Sequence, residues 1–67
     1  MINKVFRLKE AAEVAKDITL PAGQEIQIAK DVVYINGGIV PSNMQMLFYY
    51  WIINNPDLFN DVSQKYS

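Results

Sequence analysis

Two pairs of carboxylates are the residues in this 67-residue chain best suited to acid–base or metal chemistry. Glu10 and Glu13 stand three apart and Asp57 and Asp61 four apart, so on a helix each pair would share one face. Burial would split the pKa values of such a pair or let it hold a divalent ion. The rest of the chain supplies no support for either chemistry. There is no His and no Cys, which removes imidazole bases, thiolate nucleophiles and the usual zinc ligands. Four acids without the Asn- and Gly-containing loop pattern do not build a calcium loop. They read as solvated side chains, with Asp57 facing a helix start. Ser42 and Thr19 are the hydroxyls to consider as nucleophiles, and no base adjoins Ser42 in sequence. Asn36-Gly37-Gly38 lacks the Lys and the spacing of a phosphate loop. The expectation is a non-enzymatic protein with no catalytic residues, no cofactor and no metal.

The aromatic run Phe48-Tyr49-Tyr50-Trp51 could stack nucleobases, but single-strand binders set such rings in a positive groove. Six Lys+Arg against seven Asp+Glu give a net charge of −1, so no specific nucleic-acid partner is expected. Charge is also unevenly placed. Residues 1–31 carry five basic and five acidic side chains, Val32 to Pro56 carry none, and Asp57, Asp61 and Lys65 complete the count. With 51% hydrophobic and 19% charged residues, the chain has enough apolar surface to collapse. The longest apolar run, Met46 to Ile53, is far short of the ~20 residues that span a bilayer. Charges at Lys4, Arg7, Lys9 and Glu10 argue against a signal peptide. A soluble single domain over 1–67 is expected.

The elements that would position these residues divide near residue 41. Val5-Phe6-Arg7-Leu8 alternates, Phe6 and Leu8 on one face, Val5 and Arg7 on the other. Lys9 to Lys16 fits a helical turn, from Ala11, Ala12, Glu13 and Ala15, or a loop between strands. Ile18-Thr19-Leu20, Glu25-Ile26-Gln27-Ile28 and Val32-Val33-Tyr34-Ile35 read as strands. Pro21 and Gly23 suit the second and fourth places of a type I turn. Lys30-Asp31 offers a tight connection, and Asn36-Gly37 a type I′ hairpin. Gly38-Ile39-Val40 returns until Pro41.

From there the pattern is helical. Ser42 with Gln45 forms a capping-box pair opening a helix over about 43–54. Asn55-Pro56-Asp57 starts a short terminal helix with Leu58, Phe59 and Val62 on one side, and Gln64 to Ser67 is expected to fray. The class is α+β: a strand-rich part over 1–40 and a helical part over 42–64, the bent antiparallel sheet either open or closed as an SH3-like barrel.

The helix over 43–54 is apolar on both sides. One face carries Met44, Leu47, Phe48, Trp51 and Asn55, the other Met46, Tyr49, Tyr50 and Ile53. A helix on the surface of a soluble domain ought to be polar outside, and a small sheet covers only one face. Leaving two aromatic rings uncovered forgoes roughly 300–500 Å² of burial, on the order of 8–12 kcal/mol. Either the Lys9–Lys16 segment and the terminal helix wrap the second face, or another chain does. Phe48 and Trp51 are assigned to the domain's own core, although the two faces could be exchanged, since nothing in the sequence fixes which one meets the sheet. Met46, Tyr49, Tyr50 and Ile53 are assigned to a protein interface, types enriched in interface cores. Val5–Leu8 is a candidate edge for β-augmentation.

Leu20-Pro21-Ala22-Gly23-Gln24-Glu25, Val33-Tyr34-Ile35, Pro41, Trp51-Ile52 and Asn55-Pro56-Asp57-Leu58-Phe59 together resemble small tailed-bacteriophage virion-associated or accessory proteins over residues 20–60. The resemblance implies a virion structural or adaptor role, a decoration protein that cements or joins capsid or tail subunits. The partner would be a second copy or a larger virion protein, and the location the virion or the host cytoplasm. Inhibition of a host enzyme through the same surface is the alternative. A helix lying on lipid ranks behind both, because it would carry Lys or Arg on a polar face.

Overall fold

The computed structural model describes residues 3–66; Met1, Ile2 and Ser67 lie outside the described residues. A bent antiparallel sheet contains β1 (Lys4–Leu8), β4 (Glu25–Ala29), β5 (Val32–Ile35), β6 (Gly38–Ile39) and β7 (Phe59–Asp61) in the order β6-β5-β4-β1-β7. Between β1 and β4 the chain makes a separate hairpin of β2 (Ala12–Ala15) and β3 (Ile18–Leu20), and α1 (Ser42–Asn54) follows β6. This is the α+β architecture expected. The last strand returns beside the first, as an SH3-like barrel requires, yet β6 and β7 do not pair and the sheet stays open.

Tight turns set the register of the meander. Lys30 and Asp31 both have positive φ (53° and 62°), as do Asn36 and Gly37 (55° and 80°). Positive φ at both central positions is what a type I′ hairpin needs, and the flanking pairs Ala29↔Val32 and Ile35↔Gly38 close the two ladders. The Pro21 turn sits one residue later than its sequence signature suggests. The Gln24 N–H donates to the Pro21 carbonyl at 3.2 Å, which puts Gly23, φ 85°, at the third position. Glycine at that place marks a type II turn.

Three segments depart from expectation for one reason: long-range pairing outweighs local propensity. The Lys9–Lys16 segment is no helix: Lys9 and Glu10 form a bend, and Ala12–Ala15 is a strand because it pairs with Ile18–Leu20. In that hairpin Ala12, Val14 and Ile18 lie against the core. The short terminal helix is absent. Pro56–Leu58 makes one 3-10 turn, then Phe59–Asp61 joins β1 with Leu8 opposite Phe59. Phe59 enters the core there, its ring edge-to-face with Trp51 at 5.3 Å and with Phe6 at 6.2 Å. Accordingly Val5–Leu8 is no edge strand: β1 is flanked by β4 and β7. Ser63–Tyr66 forms a second 3-10 turn, Ser67 of the stretch expected to fray lies outside the described residues, and the Ser63 hydroxyl accepts the Val5 N–H at 2.9 Å. Val5 is thereby buried on the face where Arg7 pairs with Glu25 at 2.7 Å.

The core cluster is Leu8, Leu20, Ile26, Val33, Val40, Phe48, Ile52 and Phe59. Ile26 and Val33 lose all their exposure. α1 covers one side of this cluster through Phe48 and Ile52.

Candidate protein-docking face

Gln45 fixes how α1 lies on the sheet. No side-chain capping bond forms at the helix start: Pro41 occupies the cap position, and Ser42 is the first helical residue. Gln45 turns inward instead. Its Oε1 accepts the Val33 N–H at 2.8 Å, while its Nε2 donates to the Val40 carbonyl at 2.7 Å and the Val33 carbonyl at 3.0 Å. The Val40 N–H still reaches the Val33 carbonyl at 3.1 Å. Where Pro41 bends the chain away from β5, the side-chain amide thus bridges the rung that two backbones can no longer close. At the other end the Asn55 side chain caps α1 by donating to the Trp51 carbonyl at 2.7 Å.

With α1 so oriented, Phe48 and Ile52 are buried, and Met44 and Trp51 are half-buried against the core. Of the four residues assigned to an interface, Met46, Tyr50 and Ile53 are exposed, at 69%, 49% and 47%. Tyr49 is half-buried, packs against the core cluster, and meets Tyr50 edge-to-face at 5.6 Å. At about 100° per residue the four fall within about 100° of arc, one continuous stripe. Leu47 shares a face with Phe48 and Trp51 by its spacing, yet it is 40% exposed. Neither the β2–β3 hairpin nor the C-terminal turns cover this stripe. Ile39, in β6, is another large apolar side chain left open.

Beside the stripe runs a groove of about 670 Å³ between α1 and the sheet. Phe6, Ile28, Ile52 and Phe59 contribute to its apolar lining, and Tyr49 and Ile53 belong to both groove and stripe. Lys4, Lys30, Asp31 and Asp61 are the charged residues of its lining. Lys4 and Asp61 pair at 3.5 Å. The Ser63 hydroxyl and the Ser63 N–H, the latter at 2.9 Å, hold the Asp61 carboxyl below its ordinary pKa, and Lys4 adds to the effect. The groove escapes sequence reasoning because its walls come from opposite ends of the chain. The only local trace is the alternation that sets Phe6 apart from Val5.

Of the hydroxyls and acids considered for chemistry, Thr19 and Glu13 are brought together as cross-strand partners in the β2–β3 hairpin, both exposed to solvent. Ser42 and Thr19 are exposed on different elements. Asp57 lies in a 3-10 turn and Asp61 in β7, while Glu13 lies in β2, so neither carboxylate pair shares a helix face. Among the described residues no three acids gather where a metal ion could be held. No described helix is long and apolar enough to cross a membrane. Comparison with protein-family models, curated proteins and solved structures gives no match.

Proposed function

We propose that this chain is a non-enzymatic docking protein whose α1 stripe seats against another folded chain. The observation that carries the reading is the exposed apolar run Met46, Tyr50 and Ile53 on a helix with no charged residue. Apolar surface gathered into a patch of several hundred Å² marks interaction sites on soluble domains. The resemblance over residues 20–60 supplies the setting, a phage structural or adaptor protein that joins capsid or tail subunits.

The test is sedimentation of the purified chain with and without virions, for the parent and for Tyr50→Glu combined with Ile53→Lys. Tyr50 is the better target than Tyr49, whose ring also packs against the core. The variant should keep its circular-dichroism signal and lose association. Collapse of the fold would make the stripe internal and defeat the reading. A parent that stays free of particles but binds a host enzyme through this stripe would replace the structural role with inhibition.

A further inference from the structure

We propose that the chain seated on the α1 stripe is a second copy of this protein, in an isologous two-fold dimer; this rests on reading the stripe as a docking surface. Charge is the first argument. From Val32 to Pro56 there is no charged side chain, so the stripe meets its own image with no like-charge contact. A surface selecting a foreign partner ordinarily carries charges that steer the right chain and reject wrong ones, and α1 has none. The groove beside it has two cations and two acids in its lining, a balance that also suits self-association.

Area is the second argument. Met46, Leu47, Tyr50 and Ile53 are 69%, 40%, 49% and 47% exposed. Taking roughly 200 Å² for a large side chain, they present on the order of 400 Å² of apolar surface. A standard interface takes about 800 Å² from each partner, and about 65% of it is apolar in homodimers. The stripe together with Leu47, which lies just beyond its edge, supplies most of the ~500 Å² that a stable dimer requires, and the groove lining adds more. Shape is the third. An isologous patch must hold both a projection and its recess, and here Met46 and Tyr50 stand beside a groove that shares Tyr49 and Ile53 with the stripe.

Sedimentation equilibrium of the full chain over a wide concentration range tests this. The expected result is a reversible dimer. Tyr50→Glu and Met46→Lys should each weaken self-association by at least ~30-fold, as loss of a central contact does. Ile39→Lys, off the stripe, should leave the dimer intact, and circular dichroism should be unchanged in all three. A parent chain that stays monomeric, yet binds particles in a Tyr50- and Ile53-dependent way, overturns the second copy and leaves the docking reading standing. A monomer whose particle binding ignores these substitutions overturns both. A dimer indifferent to Tyr50→Glu and Met46→Lys has another interface and refutes the inference.

Discussion

Replacing Gln45 with Ala removes the side-chain amide that completes the β5–β6 ladder. Three hydrogen bonds go with it, to the Val33 N–H, the Val33 carbonyl and the Val40 carbonyl. Their losses are unequal. The Val33 carbonyl keeps the Val40 N–H, whereas the Val33 N–H and the Val40 carbonyl belong to buried residues and lose their partner. A buried backbone group left unsatisfied costs about 1–3 kcal/mol. Two such groups, less what an entering water recovers, give an expected loss of about 2–4 kcal/mol. A core of this size supplies only about 3–5 kcal/mol in total, so Gln45→Ala should bring the domain close to its unfolding midpoint without denaturant. Urea titration followed by circular dichroism reads the change. Gln45→Glu is the control, since it keeps an acceptor for Val33 but sets a carboxylate against two carbonyl oxygens. Its folded-state pKa is pushed up, so its stability deficit should shrink as pH falls and the carboxyl takes a proton. A Gln45→Ala protein within about 0.5 kcal/mol of the parent would refute the bridging role, that being the ordinary range of surface substitutions.

Lys30 and Asp31 adopt left-handed φ values that glycine and asparagine tolerate better. Lys30→Asn with Asp31→Gly should therefore stabilise the domain by about 1 kcal/mol, and an unchanged denaturation midpoint would contradict the type I′ assignment. The Ser63 hydroxyl and N–H favour the charged form of Asp61, whose folded-state pKa lies below the ordinary 3.8. Its contribution to stability is present above that ordinary value and is lost as pH falls through the lowered one. Asp61→Asn should converge with the parent only in strong acid. Carboxyl titration by NMR checks the direction, and a midpoint at or above the ordinary value would be the wrong sign.

Much of the fold is legible where local chemistry and long-range pairing agree. Asn36-Gly37 tolerates the positive φ that a two-residue hairpin needs, and the alternation in Glu25–Ile28 survives because β4 has one face on the core. The misreadings share a cause. Asn55-Pro56-Asp57 opens a 3-10 turn as readily as an α-helix, and Leu58, Phe59 and Val62 fit helical spacing. What makes Phe59–Asp61 a strand is the free side of β1, some fifty residues away in sequence, together with the rings of Trp51 and Phe6. Ala11 to Ala15 favour a helix locally, yet a hairpin lets Val14 and Ile18 reach the core. Gln45 was legible as a polar residue with a hydrogen-bonding task near the helix start; its partners were not, because they lie in β5 and the β6 exit. The candidate surface follows the same rule. That α1 is apolar all round is written in its composition, but which side the sheet takes depends on that clamp, and the exposure of Leu47 and the half-burial of Tyr49 follow from it.

Methyl NMR of the self-associated or particle-bound protein, with a soluble nitroxide as the probe of solvent contact, reaches the central point without altering the chain. Met46 and Ile53 should be relaxed strongly when the protein is free and shielded once it is assembled, while Ile39 stays open in both states. Persistent relaxation of Met46 and Ile53 in the assembled state, or shielding confined to Ile39, would mean that α1 docks nothing.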